Sequence, residues 1–331
     1  MKINKAFILC AGLGTRFQPQ THFCPKPALP FFNIPQVLYS TSALKEFGVS
    51  DFFYNSHHLP EELEKSIKPY FKTEAFFEKE LLDSGGALIH LKNSKHLNDE
   101  NFWILNGDSF ISYEDTDFLT EAANLHLKSK ALVTLIGTGS KKIGLNGLSC
   151  DSSSRFKGLN RNDDSLHFIG LYLLNREILK YVEPKAFKLF DDLLLKPEVM
   201  DRVFVYKAPT SVVWSETGNE KDFINCMKKE AQNLKLKKEN SFVYRTHKNW
   251  GLEKDLGQKL KHFLSDSHWG LNTYRSELPK DFVCVPDTCT IDGSIKLSNS
   301  AVFEKLTLNQ ELSNESLTFD DKLLIHSTQW T

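Results

Sequence analysis

The chain has 331 residues, 40% of them apolar, which is enough for a buried core and, by length, for about two domains. Its 41 basic and 42 acidic side chains leave a net charge of −1, which excludes a general electrostatic field recruiting nucleic acid or a membrane surface. No apolar span reaches the roughly 18 residues a membrane crossing needs, and the N-terminus runs into a strand without an apolar leader core, so a cytoplasmic setting is expected. Cys10, Cys24, Cys150, Cys226, Cys284 and Cys289 are scattered without a Cys-x-x-Cys pair or nearby His ligands, the pattern of reduced thiols rather than zinc or disulfides.

Ala6 to Cys10 is a short apolar run of the kind buried in a parallel sheet. It opens into Gly12-Leu13-Gly14-Thr15-Arg16, and a second cation, Lys26, follows between Pro25 and Pro27. A glycine turn between strand and helix presents backbone N–H groups to anions, which points to a phosphate-rich ligand. A Walker loop is excluded because no Lys follows Gly14. A dinucleotide fingerprint is excluded because Arg16 and Phe17 stand where a small residue is needed and the next strand ends in Asn55, not in an acid.

Gln36 to Phe47 carries Leu38, Leu44 and Phe47 partly at helical spacing and is closed by Gly48. Phe52 to Tyr54 predicts a strand, and Pro60 opens a helix with Leu63, Ile67, Tyr70 and Phe71 on one face. Phe76 and Phe77 predict a short strand, Gly85-Gly86 a helical start, Phe102 to Leu105 an apolar strand with Asp108 just beyond it, and Phe118, Ala122 and Leu125 a further helix before the strand Ala131 to Ile136. This alternation is α/β: a Rossmann-like, doubly wound mixed sheet. In such a sheet ligands sit outside the carboxyl ends of the strands, so the glycine loop and Asp108 are expected to converge.

Gly137 to Asp164 reads as polar loops and edge strands, Leu166 to Leu174 as a strand, Arg176 to Val182 as a short helix and Val203 to Tyr206 as a strand. Val212 to Asn219, with Glu216 near its end, precedes a helix from Glu220 to about Leu234; the charged stretch Lys235 to Glu239 marks a boundary, and Leu252 to Leu264 has amphipathic helical spacing. Val285, Ile291, Leu297 and Phe303 then recur every six residues, and Cys289, Ile295, Ala301 and Thr307 repeat at the same interval. Hexads of this kind are the signature of a β-helix, whose short edge needs covering either by the rest of the chain or by a second subunit, the latter giving a homo-oligomer through this region.

Gly12-Leu13-Gly14-Thr15-Arg16 followed by Pro25-Lys26-Pro27 resembles the leading signature of the sugar-1-phosphate nucleotidylyltransferases, or nucleotide-sugar pyrophosphorylases. Asn55 to Leu63, Leu81 to Leu88 and Leu105 to Phe110 look most like the branch containing N-acetylmuramate-1-phosphate uridylyltransferase and bacterial mannose-1-phosphate guanylyltransferases. The resemblance implies a GT-A-like nucleotidyltransferase core over residues 1–234, a linker and amphipathic helix over 235–280 and a short left-handed β-helix over 281–331. The implied substrates are a nucleoside triphosphate, UTP or GTP, and a sugar 1-phosphate, in nucleotide-sugar supply of the cell-wall type, with Mg²⁺ as cofactor. It assigns Arg16 and Lys26 to catalysis; Ala11, Gly12, Leu13, Gly14, Thr15, Gly85, Gly86 and Gly170 to substrate binding; and Asp108 and Glu216 to the metal.

Two departures stand out. The family's second metal carboxylate is usually an Asp in Trp-x-Asp-x-Gly-Thr, whereas this chain has Trp214-Ser215-Glu216-Thr217-Gly218-Asn219. The usual Glu-Lys-Pro before the sugar loop has no counterpart around Phe156 to Asn162. These favour a rival reading, a catalytically weak, nucleotide-sugar-binding regulatory homologue. A metal-dependent glycosyltransferase using Asn106-Gly107-Asp108 leaves the Arg16 and Lys26 loop unexplained. For His57 and His58 a loop or capping role is expected.

Overall fold

The computed structural model describes residues 3–32, 34–71, 75–96, 99–139, 147–160 and 165–253, together with short strands between 283 and 324. The chain divides into two compact units, Met1–Leu13 with Tyr39–Ser215 and Gly14–Leu38 with Glu216–Thr331.

In the first unit the strands are β1 (Lys5–Leu9), β2 (Asp51–Ser56), β3 (Ala75–Phe77), β4 (Asn101–Asn106), β5 (Phe110–Ser112), β6 (Val133–Thr138), β7 (Gly147–Cys150), β8 (Phe156–Asn160), β9 (Leu166–Asn175), β10 (Val203–Lys207) and β11 (Val213–Ser215). Nine of them form one sheet, in the order β8-β7-β9-β4-β1-β2-β3, with β6 joining β9 to β10. Strands β3, β2, β1 and β4 are parallel, and β9 then runs antiparallel to both β4 and β6, so the sheet is mixed. The stretch between Gly147 and Asn160 supplies the edge strands that its polar composition suggested.

Register explains the core. Phe53, Phe7, Ile104, Tyr172, Leu135 and Val205 are successive partners across β2, β1, β4, β9, β6 and β10. Being in one row they share a face, and all six belong to one buried cluster. Burying each of the five apolar side chains of this row stabilises the fold by about 1.5–3 kcal/mol.

The helices follow their local signals. The predicted 36–47 helix is broken at Thr41 into α1 (Gln36–Ser40) and α2 (Ser42–Phe47), and Gly48 caps it in the left-handed region at φ 100. Pro60 starts α3 (Pro60–Ile67), with Glu61 and Glu62 favourably placed in its first turn. Short helices α4 (Asp83–Gly86) and α5 (Ile89–Asn93) follow β3, and α6 (Asp117–Lys128) covers the sheet. On α6 the buried His126 pairs Nδ1 with Thr134 Oγ1 at 2.9 Å and Nε2 with Asn101 Oδ1 at 3.0 Å. Since Asn101 Oδ1 is an acceptor, Nε2 carries the proton and Nδ1 accepts from the threonine hydroxyl.

In the second unit, α7 (Glu220–Lys237) continues past Leu234, because the Lys and Glu residues that resemble a linker are also good helix formers. A Ser241 side chain accepting from Tyr244 N–H starts α8 (Phe242–Asn249). Trp250 Nε1–H donates to Leu38 O at 3.0 Å, tying the end of α8 to the 14–38 segment. Phe223 of α7 stacks edge-on against Phe17 and Phe31, with centroids 5.6 and 5.3 Å apart.

Towards the C-terminus, strands 283–284, 300–302 and 323–324 pair in parallel, as do 290–291 with 307–308 and 296–298 with 318–320. Successive described strands therefore visit three sheets in rotation. The amphipathic segment Leu252 to Leu264 lies almost wholly outside the described residues.

Candidate active site

In the first unit the loops after β1 and β4 meet. Gly107 N–H donates to Leu9 O at 2.9 Å, and Ser40 Oγ–H donates to Gly107 O at 3.0 Å. A Cβ on Gly107 would lie 2.6 Å from Cys10 Sγ, so the turn carrying Asp108 packs directly on the end of β1, as the sheet-edge argument required. Burial, with a smaller contribution from the Asp108 carboxylate, pushes the Cys10 thiol far above its ordinary value and leaves it protonated and inert. Beyond it Ala11 is buried, whereas Gly12 and Leu13 are exposed. A Cβ on Gly12 would meet nothing within 4 Å, so packing does not require glycine there.

The other glycines of this unit differ. Gly85 and Gly86 N–H both donate to Phe187 O, at 3.0 and 3.2 Å. A Cβ on Gly85 would enter the Phe187 ring, and one on Gly86 would lie 2.6 Å from Lys185 O. Gly170 has φ 79, and a Cβ there would strike Ser109 Oγ and approach Asn106 Nδ2 to 2.8 Å. The missing side chain at Gly170 thus makes room for the residues flanking Asp108. Gly85, Gly86 and Gly170 are accounted for by protein contacts; Gly12 is not.

One buried network joins the β1, β2 and β3 ends and was not legible in the sequence. Cys10 N–H donates to Asn55 Oδ1 at 2.6 Å, and Asn55 Nδ2 donates to Glu78 Oε1, also at 2.6 Å. The second oxygen, Glu78 Oε2, accepts from Leu82 N–H at 3.0 Å, and His90 Nε2 lies 3.5 Å from Oε1. Burial pushes the Glu78 carboxyl up, but His90, the Leu82 amide and Asn55 together outweigh it and hold the group below its usual value. In sequence Glu78 is the first of Glu78-Lys79-Glu80, a run that reads as solvated charge. His57 Nδ1 lies 2.9 Å from Glu78 O, the loop role expected for it.

The second unit holds the cations. Gly14 is in the left-handed region at φ 62; its carbonyl accepts from Phe17 N–H at 2.8 Å and from Thr21 Oγ1–H at 3.0 Å. A Cβ on Gly14 would lie 2.8 Å from Thr21 Cγ2 and 3.3 Å from Lys26 Cβ, so this turn is folded onto the lysine. Pro25 is extended and Pro27 sits at the start of the short turn Lys26–Ala28, which fixes the backbone from which Lys26 projects. Lys26 is only 8% exposed, with Nζ 5.7 Å from the Phe17 ring centroid. Thr15 and Arg16 are exposed.

Glu216 begins the return of the chain to this unit. A Cβ on Gly218 would collide with Glu216 Oε1 and lie 2.9 Å from Arg16 Nη1, so both side chains lie over the same glycine. Gln36 Nε2–H donates to Thr217 Oγ1 at 2.8 Å and Gln20 Nε2–H to Glu220 Oε1 at 2.9 Å, anchoring the stretch on either side of Gly218.

Among the described residues no three His, Cys, Asp or Glu side chains cluster as a metal cage. The available donors are hard: Asp108 is a half-buried carboxylate, and the adjacent Cys10 stays a protonated thiol. A hard cation that takes one or two carboxylates and completes its shell with phosphate oxygens and water suits such a donor set.

This combination of an α/β sheet, a glycine turn and buried and exposed cations is that of a nucleotide-handling transferase, and residues 5–233 match the nucleotidyl transferase family, to which the chain belongs. Similar relatives are the mannose-1-phosphate guanyltransferase of Yarrowia lipolytica, 25% identical over 232 residues that make up 67% of this chain and 62% of the relative, and mannose-1-phosphate guanyltransferase 2 of Candida glabrata, 26% identical over 66% and 63%. The match thus spans less than two thirds of those relatives' length. Among solved structures, HddC from Yersinia pseudotuberculosis has a TM-score of 0.57 at 20% identity, covering 69% of this chain and 99% of that one, and its complex with GMP-PN gives the same TM-score at 19%. At that identity the likeness establishes the fold. No helix among the described residues is long and apolar enough to cross a membrane.

Proposed function

We propose that the protein transfers a nucleotidyl group from UTP or GTP to a sugar 1-phosphate of the mannose 1-phosphate or N-acetylmuramate 1-phosphate type. A sugar phosphate oxygen attacks the α-phosphorus, the bond from α-phosphorus to the bridging oxygen breaks, and pyrophosphate leaves with that oxygen. A phosphate monoester has its second pKa near ~6, so the nucleophile is already anionic at neutral pH and needs no general base. Catalysis is then a matter of aligning two polyanions and compensating their charge.

The observation that carries this reading is the buried Lys26, a compact point charge folded under Gly14 and aimed from a backbone that its flanking prolines fix. In this reading Lys26 stabilises charge at the reacting phosphates, and Arg16 offers its fork of donors to the β- and γ-phosphates and the departing pyrophosphate. The Gly12 to Thr15 backbone, Leu13 included, cradles the triphosphate, Ala11 lies beneath the base with Gly85 and Gly86 close to the nucleoside, and Gly170 shapes the sugar side. Asp108 and Glu216 are the carboxylates that would hold Mg²⁺, which when bound neutralises triphosphate charge. The catalytic body is assigned to residues 1–234, the linker to 235–280 and a left-handed β-helix, with subunit contacts, to 281–331; a cytoplasmic setting suits soluble substrates of this kind.

The test is Mg²⁺-dependent pyrophosphate release over a matrix of nucleoside triphosphates and sugar 1-phosphates, with turnover expected for at least one pair. The longer Glu216, shared over Gly218 with Arg16, supports the second reading, a weakly active nucleotide-sugar-binding regulator. Silence over the whole matrix with nucleotide-sugar binding intact would select it.

A further inference from the structure

We infer that Asn55 and Glu78 are positioning residues: a buried hydrogen-bond relay that sets the backbone of the glycine loop and of the Leu82 to Gly86 loop together. This rests on the reading of both loops as nucleotide-facing. The relay begins at Cys10 N–H, passes through the Asn55 amide to Glu78 Oε1, and ends where Glu78 Oε2 accepts Leu82 N–H. Asn55 and Glu78 are both 2% exposed. Neither side chain can bond to water instead, so losing one partner leaves the other buried and unpaired.

The polarity of the chain is fixed by chemistry. Asn55 must turn Oδ1 to the Cys10 amide, which leaves only its Nδ2–H to face Glu78. Glu78, ionised, has only acceptors to give, and uses one oxygen on each loop. Glu78 N–H also donates to Ser56 O at 2.8 Å, and His57 Nδ1 is on Glu78 O, so the backbone that carries the carboxylate is held at the end of β2. The glycine loop supplies triphosphate contacts and the second loop nucleoside contacts, hence the relay fixes the distance between two halves of one substrate.

That polarity provides the test. Glu78→Gln alone presents an N–H₂ group to a donor, either Asn55 Nδ2 or Leu82 N–H, whichever way the amide turns. Asn55→Asp alone places two carboxylates together. The double variant Asn55→Asp/Glu78→Gln reverses the central bond and satisfies both loop amides, Cys10 N–H and Leu82 N–H, leaving only the longer 3.5 Å approach of His90 Nε2 without its carboxylate. In it the carboxylate introduced at position 55 would accept from Cys10 N–H and from the amide introduced at position 78, whose oxygen would accept from Leu82 N–H.

Amide hydrogen exchange on the free protein should rise about tenfold or more in both 10–14 and 82–86 in each single variant, and return to near wild type in the double. In steady-state assays with Mg²⁺ and GTP or UTP, the nucleotide KM should rise by about tenfold in the single variants, with kcat and the sugar phosphate KM changed much less, and recover to within about threefold in the double. Single variants that merely lower thermal stability while leaving the exchange of the two loops and the nucleotide KM as in wild type would overturn the inference. So would a double variant that fails to fold or rescues neither readout. Because exchange needs no turnover, a wild type silent in every pyrophosphate assay refutes the proposed activity while the coupling of the loops is still decided.

Discussion

The loops at the carboxyl ends of β1 and β3 are both glycine-bearing, yet their glycines answer different demands. Gly85 and Gly86 lie under Phe187 and Lys185, donate their N–H groups to Phe187 O and have no room for a methyl. Gly12 faces open space, so nothing in the protein itself requires it. A glycine that packing explains says little about a ligand, whereas an open one at the end of β1, where ligands of such sheets sit, leaves room for a close approach. The Gly12 side of the site should therefore respond to substitution in its kinetics, and the Gly85 side in its stability.

The largest effect belongs to Lys26, on the segment that continues from the open glycine. Lys26→Ala should lower kcat by about 10²–10³-fold, the usual consequence of losing a group that stabilises transition-state charge. Circular dichroism should show the fold intact. Full activity in that variant would remove the reason for reading the glycine loop as a phosphate cradle.

A second effect, in stability, provides the background against which loop variants must be compared. Burial of His126 lowers its pKa from 6.5 to about 4, while its unfolded-state value is the ordinary 6.5. The unfolded chain therefore binds the proton first, so this contribution is fully present above pH 6.5 and is lost as pH falls from 6.5 towards 4. The shift corresponds to about 3 kcal/mol. Urea unfolding at pH 7.5 and 4.5 measures it, and His126→Gln should shrink the difference between the two. An unchanged difference would show that other groups carry the acid sensitivity.

The direct contrast is a pair of alanine variants. Gly85→Ala should cost about 1–3 kcal/mol, since its methyl must displace the Phe187 ring or the Leu189 backbone. Gly12→Ala should leave the urea midpoint within error of wild type and instead raise the nucleotide KM. The reverse pattern, a destabilised Gly12→Ala and a neutral Gly85→Ala, would break the distinction between the two loops.

Much of this was legible along the chain, and what was not has a common cause. Strand and helix positions followed from local apolar spacing, Gly48 and Pro60 marked helix ends, and Asp108 at the end of β4 placed itself beside β1 through the geometry of parallel strands. The reversed direction of β9 was invisible, because an apolar run such as Leu166 to Leu174 is the same pattern read either way. The break at Thr41 and the continuation of α7 through Lys237 depend on packing and on the double meaning of a charged run. Glu78 was missed for a similar reason: one buried carboxylate beside two solvated charges carries no local mark, and its partners Asn55, Leu82 and Cys10 become neighbours only through strand order.

The smallest effect tests whether the second loop's shape is imposed by packing. Asp83, two residues before Gly85, has φ 61, a conformation that costs a residue with a side chain about 1 kcal/mol or more and costs glycine almost nothing. Against this, Asp83 Oδ1 accepts from Ser84 N–H at 2.6 Å, an exposed bond whose loss returns that amide to water at little cost. Asp83→Gly should therefore stabilise the protein by about 0.5 kcal/mol, seen as a small rise in urea midpoint. A loss of stability would mean that the Asp83 side chain, rather than the Phe187 contacts behind it, holds the loop in place. The stability of Gly85→Ala would then have to be measured again in the Asp83→Gly background to separate the two.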